Sequence, residues 1–387
     1  GVQSLTALKA ESSLQTLVKQ EGKSIAKIAR SLFKNNKVLS SKLEFNVLKN
    51  SDPDFIEDHA RTMGPVWYDK NFWQLLLVPF SAAYQVICRC RRLAFSKGLF
   101  RAYRPSVPVL VIGNISVGGT GKTPLSIWLA LKLLAYGYRP GIVCSGYGGK
   151  ADFWPQQVRP DSDWTVVGDE ALLIARQVEG IPVAVGPTRA NSVEALVDKH
   201  DVDIIVSDDG LQHYALERDI EIAVVDGVRR LGNGRCLPSG PLRESPARLE
   251  DVDLIVCKGI AGRGEFPMKF SAHYLRAVNR PEVQVGVADF PQRIVHAVAG
   301  IGNPNSFFTL LRSFGFELNE HIFPDHYALT AEDLTFGDGL PVIMTEKDSV
   351  KCEVFDREDI WYLPVRAELS DMFEGRLKAL LQGLADE

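Results

Sequence analysis

Lys122 and Thr123 close the glycine-rich run Gly113-Asn114-Ile115-Ser116-Val117-Gly118-Gly119-Thr120-Gly121, and Pro124 follows them. The apolar residues Val109-Leu110-Val111-Ile112 lead in, and a stretch with helical periodicity, Leu125 to Leu134, leads out. Strand, glycine turn, Lys-Thr and helix, in that order, deliver a phosphate chain to a helix N-terminus. Glycines let backbone N–H groups approach phosphate oxygens, and the positive helix end adds attraction. Ser116, Val117, Gly118, Gly119, Thr120, Gly121, Lys122 and Thr123 therefore read as a nucleotide-binding loop. In that loop Lys122 reaches the β- and γ-phosphates, and the Thr123 hydroxyl sits on Mg²⁺. The general pattern asks for glycine where the chain has Ser116, but the strand before and the helix after support the loop.

Three further loops carry the polar residues such a site needs. Gly168-Asp169-Glu170 precedes a helical stretch, and Asp208-Asp209-Gly210-Leu211-Gln212-His213 follows the apolar run Ile204-Ile205-Val206. Leu237-Pro238-Ser239-Gly240-Pro241-Leu242-Arg243-Glu244 is bounded by Pro and Gly and ends in an Arg-Glu pair. Acids at a strand end, downstream of a phosphate loop, suit the holding of Mg²⁺ and its water, with either Asp208 or Asp209 in that role.

The elements that must position these loops alternate. Pro140–Cys144, Pro182–Gly186, Ile204–Ser207, Ile220–Val225 and Leu254–Cys257 read as strands, with helices such as Glu170–Val178 and Ser192–Asp198 between them. This alternation predicts an α/β fold, a mostly parallel P-loop NTPase-like sheet with helices on both faces. Ligands in such sheets bind at the C-terminal ends of the strands. From 281 the pattern restarts with Val295–Ala299, Gly300-Ile301-Gly302-Asn303-Pro304, a helix over Phe307–Phe314, Asp325-His326 and Val342-Ile343-Met344-Thr345-Glu346-Lys347-Asp348. Four segments are expected: an extension over 1–62, an amphipathic helix region over 63–104, a P-loop domain over 105–280 and a smaller α/β domain over 281–387.

The 387 residues suffice for two well-buried cores, and net charge -4 gives no field for nucleic acid. Cysteines 88, 90, 144, 236, 257 and 352 form no Cys-x-x-Cys, and no secretory signal opens the chain, so they read as reduced thiols of a cytosolic protein. Residue 1 is Gly, which points to a processed or truncated chain, and Met63 is an alternative start. Two short amphipathic helices are expected within 1–62, which carries no chemical motif. The segment 71–104 joins Phe72-Trp73-Gln74-Leu75-Leu76-Leu77 and further apolar residues to Arg89, Arg91, Arg92, Lys97, Arg101 and Arg104. Gln74, Pro79 and Gln85 interrupt its apolar run, which falls short of the roughly 20 residues of a membrane span. It reads as a helix lying in a bilayer interface, with a core-packing helix as the competing reading.

Together these motifs resemble the tetraacyldisaccharide 4'-kinase family, the lipid A 4'-kinases, over roughly residues 66–370. Gly146-Tyr147-Gly148-Gly149, Asp325-His326 and Thr345-Glu346-Lys347-Asp348 join the loops above in carrying the resemblance, in one order. The resemblance implies transfer of the γ-phosphoryl of ATP to the 4'-hydroxyl of tetraacyldisaccharide 1-phosphate in lipopolysaccharide synthesis. It further implies two α/β domains with the site between them, and peripheral attachment to the cytoplasmic face of the inner membrane through the 71–104 helix. Asp169 resembles the family's catalytic carboxylate and His326 its partner, while Arg243 adds positive charge and Glu244 a further acid. One departure is Ser145, where the family pattern has Arg before Gly-Tyr-Gly; the alternatives are reduced activity, compensation by a cation such as Arg189, or an altered sequence. A GTPase is disfavoured because Glu346-Lys347-Asp348 lacks the Asn-Lys of a guanine-reading motif. A binding protein with a degenerate loop is disfavoured by the intact Lys122, Thr123, Asp169, Asp208 and Asp209, although Ser145 favours it.

Overall fold

Val109–Gly113 is buried along its whole length, as a strand covered on both faces of a parallel sheet must be. The computed structural model of the chain describes Trp67 and residues 73–385, so the two helices expected within 1–62, and Met63, lie outside the described residues. Among the described residues, chain contacts define two compact units, Trp67 and residues 73–101 with 237–241, and residues 102–236 with 242–385.

In the first unit, helix α1 (Trp73–Ser96) contains Pro79. Leu75, Leu76, Val86, Ile87 and Leu93 are exposed on it while Gln74 and Ser81 are buried, the reverse of a core helix. The Ser239 hydroxyl donates to the Gln74 carbonyl at 2.9 Å and the Trp67 indole to the Pro238 carbonyl at 3.0 Å. Among the described residues no helix is long and apolar enough to cross a membrane.

The second unit runs β1 (Val109–Gly113), α2 (Lys122–Ala135), β2 (Pro140–Cys144), β3 (Gln156–Val158), α3 (Trp164–Val167), α4 (Asp169–Gln177), β4 (Val183–Val185), α5 (Arg189–Lys199), β5 (Ile204–Ser207), β6 (Ile220–Asp226), β7 (Leu254–Lys258), β8 (Phe266–Ser271), β9 (Tyr274–Ala277), β10 (Gln284–Gly286), β11 (Ile294–Ala299), α6 (Pro304–Ser313), β12 (Glu317–Ile322), β13 (Val342–Thr345), α7 (Glu346–Cys352), β14 (Ile360–Leu363), β15 (Arg366–Leu369) and α8 (Asp371–Ala385). A nine-stranded sheet has the order β15-β8-β7-β6-β1-β5-β2-β4-β3. Only its edge strands β15 and β3 are antiparallel to their neighbours. With β1 between β5 and β6, the chain order reverses across the centre, and a crevice opens at the strands' C-terminal ends.

The second sheet has six strands in the order β10-β9-β14-β13-β11-β12. It begins at Tyr274, before the expected boundary at 281, and Arg366 returns the chain to the first sheet. The expected single piece 281–387 is therefore redrawn: β15 pairs with β8, and Phe373, Leu377 and Leu381 of α8 pack into the first core with Leu110, Leu129 and Ile222. Neither segment carries a chemical motif, which is why local pattern did not separate them. The second sheet has its own core around Phe308, Leu311, Val295 and Ile343.

Candidate active site

Gly121 adopts φ 92° and opens α2 without a side-chain cap, leaving the first-turn amides for a ligand. A side chain there would also lie 2.6 Å from Cζ of Phe270, so glycine is required on two counts. Lys122 Nζ meets Asp209 Oδ2 at 2.7 Å and Asn114 Oδ1 at 3.2 Å. Arg243 Nη1 reaches Asp209 Oδ1 at 2.9 Å and also donates to Gln212 Oε1 at 3.2 Å. Asp209 has the left-handed φ of 49°, which aims its carboxylate between these cations. Burial alone would raise its pKa, but the charges of Arg243 and Lys122 hold it far below the usual carboxylate range.

The neighbouring Asp208 stands in the opposite condition. It is buried; its Oδ1 accepts from Ser126 at 2.7 Å and its Oδ2 from the Thr123 hydroxyl at 3.2 Å. Burial, together with the charges of Glu170 and Asp209, pushes its pKa up to about 6 despite the Ser126 hydrogen bond. Glu244 is buried and accepts from Gln212 Nε2 at 2.8 Å and from the Tyr214 hydroxyl, so both its oxygens are engaged with the loop that holds Arg243 in register.

A second cluster assembles residues far apart in sequence. Gly168, with φ 91°, turns the chain tightly into α4, and a side chain there would lie 2.6 Å from the Tyr147 carbonyl oxygen. Asp169, first in that helix, has Oδ1 accepting from His326 Nδ1 and from the Glu170 amide, both at 2.8 Å. Its Oδ2 is buried with no hydrogen-bond partner, and Lys351 Nζ stands 3.5 Å from it. Burial would raise the Asp169 pKa, but Lys347, His326 and Lys351 outweigh it and hold the carboxyl well below its usual range. His326 is the other site residue in the left-handed region, at φ 61°, and its ring lies 4.6 Å from that of Tyr147. Lys347 Nζ lies 2.7 Å from Glu170 Oε1, 2.9 Å from Asp325 Oδ1 and 3.2 Å from His326 Nε2.

The two clusters are neighbours. Gly302 links them: a side chain on it would lie 2.8 Å from the Gly119 nitrogen of the phosphate loop and 3.3 Å from Asp325 Oδ2 of the second cluster. Arg229 donates to the Gly119 carbonyl from the other side. Every expected site residue thus sits at the C-terminal ends of the first sheet or on the facing loops of the second. Sequence reading missed Ser126, Arg229 and Lys351, and quoted Glu170 and Lys347 without a role. The usable signal was position: Lys347 is the second residue after an apolar strand, much as Asp208 is the first. Arg189 is buried and donates to the Asp208 carbonyl at 2.9 Å, and its charge acts on Cys144, the residue before Ser145.

A parallel sheet with a phosphate loop at its switch point, faced by an Asp–His pair, defines a phosphotransferase. The family model described as tetraacyldisaccharide-1-P 4'-kinase matches residues 73–382, and the chain belongs to that family. The tetraacyldisaccharide 4'-kinase of Nitrosococcus oceani is 48% identical over 330 residues, covering 85% of this chain and 97% of the relative. That of Aeromonas salmonicida is 49% identical over 308 residues, covering 79% and 92%. The crystal structure of LpxK from Aquifex aeolicus in complex with ATP superposes with TM-score 0.67 at 27% identity, covering 80% of this chain and 99% of that one. The chain is accordingly a kinase of lipid A biosynthesis that phosphorylates a sugar hydroxyl.

Proposed function

We propose that the site transfers the γ-phosphoryl of ATP to the 4'-hydroxyl of tetraacyldisaccharide 1-phosphate, with residues 116–123 cradling the triphosphate. The observation that carries this reading is that Gly302, packed against Gly119 of the phosphate loop, also lies beside Asp325, next to the His326 that pairs with Asp169 across the two sheets. Lys122 and Arg243, both held on Asp209, are positioned to turn toward phosphate oxygens, and charge neutralisation at those oxygens lowers the barrier. The donor set fits Mg²⁺ at Asp208 rather than Asp209. Asp208 is a buried carboxylate beside the Thr123 hydroxyl with no ion pair among the described residues, whereas two cations already neutralise Asp209. Bound there, Mg²⁺ would supply positive charge to the β- and γ-phosphate oxygens.

Proton handling follows from the hydrogen bonds of His326. A carboxylate only accepts, so Nδ1 carries the proton toward Asp169 and Nε2 keeps its lone pair. Asp169, held well below its usual range, is a weak acceptor, so the acceptor hydroxyl gives its proton to His326 Nε2. Asp169 orients the ring through Nδ1 and stabilises the imidazolium that forms. Glu244 acts through Gln212 and Tyr214 as a positioning residue.

The exposed leucines of α1 and the exposed Arg89 and Arg91 support a helix lying on an anionic bilayer surface, the inner membrane by family likeness. Replacing Leu76 and Leu77 by Asp should release the protein from vesicles containing anionic lipid, and unchanged sedimentation would favour a core-packing helix. The deciding assay is transfer of labelled phosphate from ATP to detergent-dispersed tetraacyldisaccharide 1-phosphate, with and without Mg²⁺. Mg²⁺-dependent bisphosphorylated product is expected. Nucleotide binding without product would instead favour a non-catalytic relative, a reading to which Ser145 gives some weight.

A further inference from the structure

Lys347 is a half-buried charge, in contact with the imidazole, that the reaction as written does not use. Its ammonium touches groups from two separate elements besides its own helix: Glu170 of α4, and both Asp325 and His326 of the loop after β12. The same loop brings Asp325 Oδ1 to 3.6 Å from His326 Nε2. The titratable groups around the imidazole are thus Asp169 from α4 with Lys351 of α7 behind it, Asp325 from its own loop, Lys347 from α7 with Glu170 of α4 behind it, and Tyr147 from the loop after β2.

An ammonium has only donors, so the contact at 3.2 Å requires Nε2 to be the acceptor. At Nδ1, 2.8 Å from Asp169, the carboxylate requires a donor. Only the neutral Nδ1–H tautomer satisfies both contacts at once. An imidazolium would set its Nε2–H against the ammonium, and like charges at this distance disfavour the charged form. Three carboxylates stand nearby, and without Lys347 all of them would favour the imidazolium.

We propose that Lys347 is a positioning residue that fixes His326 as the neutral Nδ1–H tautomer, so that the resting site holds Nε2 unprotonated. This rests on the reading of His326 as the base. In the reaction the acceptor hydroxyl replaces the ammonium at Nε2, and Lys347 keeps its proton and its contacts with Glu170 and Asp325. The hydroxyl proton passes to Nε2 as the oxygen–γ-phosphorus bond forms and the bond from the γ-phosphorus to the bridging oxygen of the leaving diphosphate breaks. The imidazolium then gives its proton to solvent. Lys347 is held protonated throughout: burial would lower its pKa, but Glu170, Asp169 and Asp325 keep it well above the usual lysine value.

The test is nitrogen-15 NMR of the histidine rings in the full chain, with His326→Gln assigning the resonance, run on the wild type and on Lys347→Met. In the wild type at neutral pH, His326 should show a protonated Nδ1 and an unprotonated Nε2; a protonated Nε2 there overturns the proposal whatever the variants do. In Lys347→Met the midpoint of the His326 titration should move to higher pH by about one unit or more, and the acid limb of kcat/KM should move with it. Lys347→Arg keeps the charge and should leave the midpoint within a few tenths of a unit of wild type. A midpoint unchanged in folded Lys347→Met, or one that moves equally in Lys347→Arg, overturns the proposal. Should the NMR midpoint rise while the acid limb of kcat/KM stays in place, the control by Lys347 stands and His326 is not the base.

Discussion

The Lys122–Asp209–Arg243 cluster and the Asp169–His326–Lys347 cluster both neutralise buried charge, but they are built in opposite ways. The first lies wholly on loops of one sheet, and its central carboxylate joins two cations whose backbones that sheet already fixes. The second joins α4 of the first sheet to a loop and a helix of the second, over 157 residues from Asp169 to His326. Charge neutralised within one sheet is present whenever that sheet is folded. Charge neutralised between sheets exists only when both are folded and in contact, so the second cluster also registers how the sheets meet.

The largest effect should come from Lys122→Ala, which removes the phosphate-facing cation and leaves Asp209 paired with Arg243. Turnover should fall by about 10³-fold or more with an unchanged melting temperature. Substantial residual activity would break the assignment of the first cluster to phosphate.

His326→Ala should lower kcat by roughly 10²- to 10³-fold with little change in KM, because proton handling matters only in the transition state. If only KM for the lipid changes, the second cluster binds rather than reacts. Asp169 adds a stability signature to this cluster. Its carboxyl titrates below its unfolded value of 3.8, so it stabilises the fold at neutral pH, and that contribution is lost as the pH falls below about 4. Asp169→Asn should therefore flatten the acid side of a melting-temperature profile relative to wild type.

Glu244→Gln keeps the shape but weakens the hold on Gln212 and Tyr214. A loss of roughly tenfold in kcat is expected, the scale of one charge-assisted hydrogen bond. The smallest effect should be Arg176→Ala. Arg176 on α4 pairs with Glu353, which directly follows α7, so this contact also bridges the two sheets. Exposed pairs contribute about 0–1 kcal/mol, so neither stability nor rate should move measurably. A large rate loss would show that this exposed pair, too, sets how the sheets meet.

The same contrast explains what could be read from sequence. The phosphate loop, β2, β5 and the Asp-Asp-Gly turn announce themselves by local pattern, because each element's chemistry lies within a dozen residues. Asp169 and His326 were found through family resemblance. Their pairing was invisible to spacing, and so was the role of Lys347, since its partners Glu170 and Asp325 lie 177 and 22 residues away. Choosing between Asp208 and Asp209 required the geometry of Ser126, Thr123 and Arg243, because two adjacent acids look alike in sequence. The exchange of β15 and α8 back to the first sheet left no local sign, since an amphipathic helix fits either core.

That exchange bears on how the protein comes into being on the ribosome. The first sheet starts at Val109, yet its core includes Phe373, Leu377 and Leu381, and its edge is closed by Arg366–Leu369. A nascent chain that has made the phosphate loop, both aspartates and Arg243 still lacks the residues that cover the Phe266 and Trp128 side of that core. The second sheet can complete its own core first, while the older one waits with apolar surface uncovered until the chain has grown past Leu381.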